Sequence, residues 1–161
     1  MKAPVLHGRR SMSFDEVPDP VAGDNEVVVE VGFCGICGSD LHLYDSATAP
    51  DGIVLGHEFG GTIVSLGKAV TGWEAGDRVV GAPQKPCMNC AFCLKGDFDF
   101  CYQHYRLDAQ RAGTVAAGGV SLGSGGYGPF TKIIAPRLMR IPDALDDRQA
   151  AAIEPAARLA N

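Results

Sequence analysis

The sequence predicts a mainly β fold, a small β-barrel with short helices, and three observations support this prediction. The chain of 161 residues contains 21 glycines and 10 prolines, spread along its length without a repeat. Short β-prone segments alternate with glycine-rich turns, a pattern that favours short strands over long helices. The length corresponds to about one domain, with enough chain to bury a hydrophobic core.

The strand pattern occurs in several short segments along the chain. In order, these segments are an opening strand region within residues 1–20, which ends in the polar, proline-containing stretch 14–20, and then residues 27–31, 62–67, 78–80 and 129–134. Runs of β-branched residues bounded by glycine and proline are typical of strands joined by tight turns. Trp73, the single tryptophan, is interpreted as a packing or turn-covering residue.

The central motif of the chain lies at residues 35–42, directly after the valine-rich strand. Ser39 is suited to cap a short helix over residues 40–44, so Cys37 lies just ahead of a helix N-terminus. The positive end of the helix dipole favours the thiolate that a metal requires. Ser39 and His42 lie three residues apart, so their side chains can share one face of this helix.

A second motif, at residues 56–61, adds two candidate ligands. His57 supplies a neutral nitrogen, and Glu58 supplies a carboxylate beside it. A lone cysteine or histidine is more often a packed residue than a ligand. The two glycine-flanked motifs together, however, favour a catalytic Zn²⁺ site formed by Cys37, His57 and Glu58.

Residues 81–105 form a cysteine-rich lobe with little hydrophobic periodicity. Its four cysteines follow the pattern C-x2-C-x2-C-x7-C, at Cys87, Cys90, Cys93 and Cys101. Four thiolates close a tetrahedral shell, which is typical of a structural zinc site whose binding energy becomes local folding energy. An iron–sulfur cluster is the alternative, but the late fourth cysteine, with no proline after it, favours zinc.

Composition and charge exclude several function classes. The chain has 14 basic and 19 acidic residues, and no cluster of lysine or arginine offsets the negative balance. Nucleic-acid binding is therefore not expected. The N-terminus lacks the apolar core of a signal peptide, and no apolar run is long enough to span a bilayer. We expect a cytoplasmic protein with no membrane partner.

Two other patterns in the sequence do not indicate a function. Cys34 and Cys37 match the C-x-x-C redox pattern, but they lack the βαβ surroundings of a thioredoxin-like protein. Cys34 is therefore interpreted as a packed residue at the strand end. Residues 123–128 match G-x-G-x-x-G, yet a strand pattern follows them, so no helix N-terminus is available for a pyrophosphate. This segment is interpreted as a glycine-rich loop.

The end of the chain predicts two short helices. Asp146 and Gln149 form a capping box for the alanine-rich segment 150–153. Pro155 disfavours the α conformation at Glu154, so it is expected to break the helix there and begin a second one. A carboxylate at such a break can point toward a metal, although the local pattern alone favours a solvated Glu154.

Taken in order, these motifs resemble one family, the zinc-dependent medium-chain alcohol dehydrogenases. The matching segments are residues 35–42, 56–58, 76–80, the four-cysteine lobe and 153–156. Residues 37–40 and 154–155 are similar to the polyol, threonine and butanediol dehydrogenase branch. The resemblance implies that residues 1–161 form a GroES-like β-barrel catalytic domain, which a Rossmann domain for NAD(P) follows in that family.

The resemblance also implies two zinc ions, one catalytic and one structural. Cys37 and His57 match ligands of the catalytic zinc. Glu58 and Glu154 match the third ligand and a partner that coordinates zinc or holds its water, and either carboxylate can take either role. The structural zinc matches the cysteines of the lobe, namely Cys87, Cys90, Cys93 and Cys101.

The implied reaction is oxidation of a small-molecule alcohol to a ketone or aldehyde. Zinc lowers the pKa of the substrate hydroxyl. The proton then leaves through Ser39 and His42, and a hydride passes to NAD or NADP. Asp40 matches a carboxylate that orients a ligand imidazole. The full-length enzyme is expected to be a homo-oligomer, a dimer or a tetramer.

We expect that the chain has been cut from a longer enzyme and is inactive alone, since the dinucleotide-binding domain is missing and the last helix stops after about one turn. Two other classes remain open. One is a non-enzymatic zinc-binding module of GroES-like shape, used for assembly. The other is an iron–sulfur electron carrier, which would absorb visible light.

Overall fold

The computed structural model describes residues 1–49, 51–81, 89–97, 101, 115–116, 120–121 and 125–159. The strands within them are β1 (Lys2–His7), β2 (Met12–Glu16), β3 (Glu26–Gly35), β4 (Asp51–Ile53), β5 (Glu58–Leu66), β6 (Arg78–Gly81), β7 (Val115–Ala116), β8 (Val120–Ser121), β9 (Phe130–Ile134) and β10 (Leu138–Arg140). The α-helices are α1 (Gly38–Tyr44), α2 (Asp147–Ala151) and α3 (Ile153–Leu159), and 3₁₀ turns cover Cys93–Lys95 and Ala135–Arg137. None of the helices in these ranges is long and apolar enough to cross a lipid bilayer.

Two antiparallel sheets form most of this structure. One has the strand order β10-β6-β5-β3-β9, the other has the order β2-β1-β4, and β7 pairs with β8 separately. The long strand β3 lies between the central strand β5 and the edge strand β9 of the larger sheet. Its C-terminal end, where the first metal motif begins, is held by its pairing with β5. The prediction of a mainly β fold is confirmed.

The largest core cluster lies on the five-stranded sheet. Val27 and Val29 of β3 are fully buried there and belong to the same cluster as Phe59 and Ile63 of β5. Full burial of a valine stabilises the fold by roughly 1.5–3 kcal/mol. The valine-rich run that predicts a strand is therefore one source of the stability of this sheet. Trp73 packs half-buried against the same core, which agrees with its interpretation as a packing residue.

Helix α2 packs on strands β3 and β5. Its predicted capping box is present, because the Gln149 backbone N–H donates to Asp146 Oδ1 at 2.8 Å and the Asp146 N–H donates to Gln149 Oε1 at 3.0 Å. The helix approaches the sheet so closely that a Cβ on Gly60 would lie 2.7 Å from the Ala150 Cβ. This contact fixes the C-terminal helices on the strand that begins at Glu58.

The break between α2 and α3 lies at Ala152, two residues before the predicted position. Glu154 is helical, in the first turn of α3, and Pro155 follows it in the same turn. Proline is tolerated there because the N–H groups of a first turn have no intrahelical partner. The prediction that Glu154 breaks the helix is therefore wrong, whereas the prediction of a second helix is confirmed.

Candidate metal centre

The first candidate ligand, Cys37, lies where β3 leads into α1. Cys37 is the N-cap residue of this helix, and its backbone N–H donates to Asp40 Oδ2 at 3.1 Å. The prediction that Ser39 caps a helix starting at residue 40 is wrong, because the Asp40 carboxylate turns back on the cap and the helix begins at Gly38. The half-buried Cys37 thiol therefore lies at the positive end of α1.

His57 and Glu58 lie at the start of β5, beside the end of β3. Both are buried, each with 8% of its surface exposed. Gly35 is the register partner of Glu58 across the two strands. A Cβ on Gly35 would lie 2.5 Å from Glu58 Oε2, so a larger residue at this position would displace the carboxylate. The glycine before the cysteine motif therefore makes room for the second motif.

The fold brings these three predicted ligands together. One ligand atom from each of Cys37, His57 and Glu58 lies within 4.8 Å of the other two. Thiolate, imidazole and carboxylate are donors that zinc accepts. The residues present therefore fit a zinc ion.

Asp40 lies behind the imidazole, with its Oδ1 3.6 Å from His57 Nδ1. This distance exceeds that of a normal hydrogen bond, but it places the buried carboxylate against the ring. Asp40 raises the pKa of His57 to about 9, although burial of the imidazole opposes the rise. Because a metal binds the neutral imidazole, it must displace the proton that Asp40 stabilises.

Asp40 is itself held by hydrogen bonds. Burial alone would raise the pKa of Asp40, but its contacts with His57, Tyr127 and the Cys37 N–H outweigh burial and keep that pKa below its usual value. The Tyr127 hydroxyl donates to Asp40 Oδ2 at 2.8 Å. Burial and this bond raise the pKa of Tyr127 well above its ordinary value.

Tyr127 is not among the predicted site residues, because the pattern of its segment indicates only a glycine-rich loop. Residues 125–128 do form a turn that leads into β9, as predicted, while residues 123 and 124 lie outside the described residues. An aromatic residue between glycines, just before a strand, was the available signal. Nothing in the spacing of the motifs indicated that this residue meets Asp40.

The remaining predicted residues of the catalytic set occupy different environments. Ser39 and His42 are both solvent-exposed on α1, three residues apart. Glu154 is buried, with 7% of its surface exposed, and its helix packs against β5. Glu154 does not belong to the group formed by Cys37, His57 and Glu58.

The cysteine lobe supplies a second group of candidate ligands. One Sγ atom from each of Cys90, Cys93 and Cys101 lies within 4.8 Å of the other two. Cys93 opens a 3₁₀ turn, and its backbone N–H lies 3.4 Å from Cys90 Sγ. Cys93 and Cys101 are buried. These three thiols fit a structural zinc, and the fourth predicted ligand, Cys87, lies outside the described residues.

Cys34 lies near the first centre but not in it. Burial, with a smaller contribution from Asp40 and Glu58, raises the pKa of the Cys34 thiol to about 12. Such a thiol is rarely a thiolate and reacts poorly. Its surroundings agree with the interpretation of Cys34 as a packed residue at the end of β3.

Several curated proteins are similar to this chain in sequence. The chain is 37% identical over 98% of its length to a sorbitol dehydrogenase of Halalkalibacterium halodurans, of which it covers 43%. It is 31% identical over 98% of its length to an (R,R)-butanediol dehydrogenase of Bacillus subtilis, of which it covers 45%. The chain therefore spans less than half the length of these curated relatives.

Solved structures of similar proteins have the same fold as this chain. An E. coli CFT073 protein described as a short chain alcohol dehydrogenase (rspB), complexed with NADH, superimposes with a TM-score of 0.81 and 32% identity; the match covers 100% of the present chain and 44% of that one. The model of the alcohol dehydrogenase GroES-like domain matches residues 23–143. The predicted resemblance is thereby confirmed, and the chain belongs to the family of alcohol dehydrogenase GroES-like domains.

Proposed function

We propose that this chain is the catalytic domain of a zinc-dependent alcohol or polyol dehydrogenase, a proposal carried by the convergence of Cys37, His57 and Glu58 on one point. Glu58 opens β5, His57 directly precedes it and Cys37 lies two residues after β3, so the three donors lie close together without a metal. Three protein ligands leave a position for substrate, which is the arrangement of catalytic rather than structural zinc sites.

Each group of ligands would hold one zinc ion. Cys37, His57 and Glu58 would hold the catalytic ion, which would act as a Lewis acid on a bound alcohol and favour loss of its hydroxyl proton. The cysteine group would hold the structural ion, with Cys87 as the fourth ligand that the sequence pattern predicts. A shell of four thiolates offers no open position to a substrate.

The residues of α1 would move the proton. Ser39 lies in the first turn of the helix, two residues beyond Cys37, and its exposed hydroxyl can receive a proton from an alcohol at the metal centre. His42 lies one turn further along the same face and is also exposed, so it can pass the proton to solvent. The buried Asp40 would hold the His57 imidazole in place.

The complete reaction would need a part that the relatives possess beyond the matched region. The match covers 43–45% of the curated relatives' lengths, and one structural relative is complexed with NADH. We infer that NAD or NADP accepts the hydride in the parent enzyme, which would be a homo-oligomer, a dimer or a tetramer. We also infer that the 161 residues by themselves do not oxidise alcohols.

The proposal can be tested with Co²⁺ as a spectroscopic substitute for zinc. The chain is loaded with Co²⁺ and titrated with sorbitol, 2,3-butanediol and a non-alcohol of similar size. The part of the visible cobalt absorption that is lost in Cys37→Ala reports the first site. We expect this absorption to change when an alcohol is added and to stay the same when the non-alcohol is added. A Cys37-dependent cobalt spectrum that no alcohol alters would favour the zinc-binding assembly module instead.

A further inference from the structure

The turn that carries Tyr127 is fixed to the backbone just ahead of His57. The Gly126 N–H donates to the Gly56 carbonyl at 2.8 Å, and the Tyr127 N–H donates to the Leu55 carbonyl at 3.0 Å. Gly56 has a φ of 95°, and a Cβ on it would lie 2.6 Å from Tyr127 Cδ1. The tyrosine ring thus lies directly against the residue that precedes His57.

The ring is also held by hydrophobic packing. Tyr127 packs, partly buried, against two clusters of the core, formed by Leu6, Ile53 and Leu55 and by Ala3, Val5 and Val54. A ring fixed on two sides and by its own backbone has little freedom to rotate. The position of its hydroxyl is therefore set by the fold.

That hydroxyl contacts the carboxylate of Asp40, which lies behind the His57 imidazole. Asp40 Oδ2 accepts two hydrogen bonds, from the Tyr127 hydroxyl at 2.8 Å and from the Cys37 backbone N–H at 3.1 Å. Two donors on one oxygen fix the plane of the carboxylate. Its other oxygen, Oδ1, is then the one that lies 3.6 Å from His57 Nδ1.

We propose that Tyr127 is a positioning residue of the metal centre, whose hydroxyl orients Asp40 so that this carboxylate holds the His57 imidazole ready for a metal ion. The inference rests on the proposed function, because it takes His57 as a ligand. Groups that orient a ligand imidazole typically contribute 10–100-fold to metal affinity. Tyr127 contributes through Asp40 and touches neither the metal nor the substrate.

The test is a Co²⁺ titration of the metal-depleted chain and of Tyr127→Phe. The cobalt absorption that Cys37→Ala removes reports this site alone. Phenylalanine keeps the ring and its packing, so the variant loses only the hydroxyl; circular dichroism checks that it folds. We expect an affinity about tenfold weaker than that of the unmodified chain, with no change in the cobalt bound by the cysteine lobe.

Tyr44→Phe is the matched control. The Tyr44 hydroxyl also donates one hydrogen bond, to the Arg10 carbonyl at 3.2 Å, on the exposed side of α1. Its removal is expected to leave the affinity unchanged. Equal affinities for Tyr127→Phe and the unmodified chain would overturn the inference, as would an equal loss in Tyr44→Phe. If the unmodified chain bound no Cys37-dependent cobalt, the proposed function itself would fail.

A double-mutant cycle with Asp40→Asn separates positioning from a general packing effect. If Tyr127 acts through the Asp40 carboxylate, Tyr127→Phe should weaken cobalt binding much less in the Asp40→Asn background than in the unmodified chain. The same tenfold loss in both backgrounds would show that Tyr127 acts by another route, and it would contradict the inference.

Discussion

The two candidate metal sites are built in opposite ways. In the first site Glu58 is in register with Gly35 across two paired strands, His57 lies against the buried Asp40, and Cys37 caps α1 two residues after β3. The lobe has no strand within residues 89–97 and 101, and its thiols are arranged by a 3₁₀ turn. The first site is a property of the fold, whereas we expect the second to owe its order to the metal.

Removing one ligand from each site is expected to give the largest difference between them, in zinc binding and in trypsin sensitivity. Cys93→Ser should abolish zinc binding in the lobe and make the chain near Lys95 sensitive to trypsin, because structural zinc supplies about 10 kcal/mol or more of local folding energy. Cys37→Ser should lose its zinc with little change in trypsin sensitivity. Comparable new cleavage in both variants would contradict the comparison.

The unfolding free energies of two glycine-to-alanine variants test whether the fold forms the first site without metal. Gly56→Ala places a Cβ against the Tyr127 ring at a φ of 95°, and the combined clash and strain should cost roughly 3 kcal/mol of unfolding free energy. Gly96→Ala in the lobe, at a φ of 87° with open space around it, should cost less than about 1 kcal/mol, because we expect the metal-free lobe not to hold this conformation. Urea unfolding of the metal-free proteins measures both, and equal costs would argue against a preformed site.

The third ligand can be identified by comparing two carboxylates. Glu58→Gln should weaken zinc binding at the first site by more than tenfold, because Glu58 lies in the group with Cys37 and His57. Glu154→Gln should have the smaller effect, since Glu154 lies outside that group. Competition with a chromophoric chelator gives both affinities. The opposite ranking would assign the ligand role to Glu154.

The first site should also bind metal more tightly as pH rises. Asp40 raises the pKa of His57 from 6.5 to about 9 in the metal-free protein, so below pH 9 the metal must displace a proton. His57 should therefore contribute about a tenfold gain in affinity per pH unit up to about pH 9. In Asp40→Asn this contribution should end at a lower pH. The same pH profile for both proteins would show that Asp40 does not act on His57.

Much of the first site was predictable because its residues lie in contiguous motifs. Cys37 follows a valine-rich strand, and His57 and Glu58 open the strand paired to it, so local patterns indicated both halves. The contact between Tyr127 and Asp40 was not predictable, since it joins residues 87 positions apart in sequence. Only the folded turn on the Gly56 backbone brings these side chains together.

Two helix boundaries predicted from local sequence were wrong, because side-chain contacts or the position in the helix outweighed the conformational preference of single residues. Ser39 has the better capping propensity, but Asp40 reaches back to the Cys37 N–H and moves the start of the helix. Pro155 disfavours the α conformation at Glu154, yet Glu154 is helical, because the first turn of α3 tolerates proline. By contrast, the capping box of α2 was predictable because both of its hydrogen bonds are local.

The most direct test of two independent zinc sites is the metal content of the chain, purified without added metal and measured by elemental analysis. We predict two zinc ions per chain, and one in Cys37→Ala, whose remaining ion belongs to the cysteine lobe. A single zinc that Cys37→Ala leaves unchanged would contradict the catalytic site, and iron in place of zinc would contradict the proposed metal chemistry.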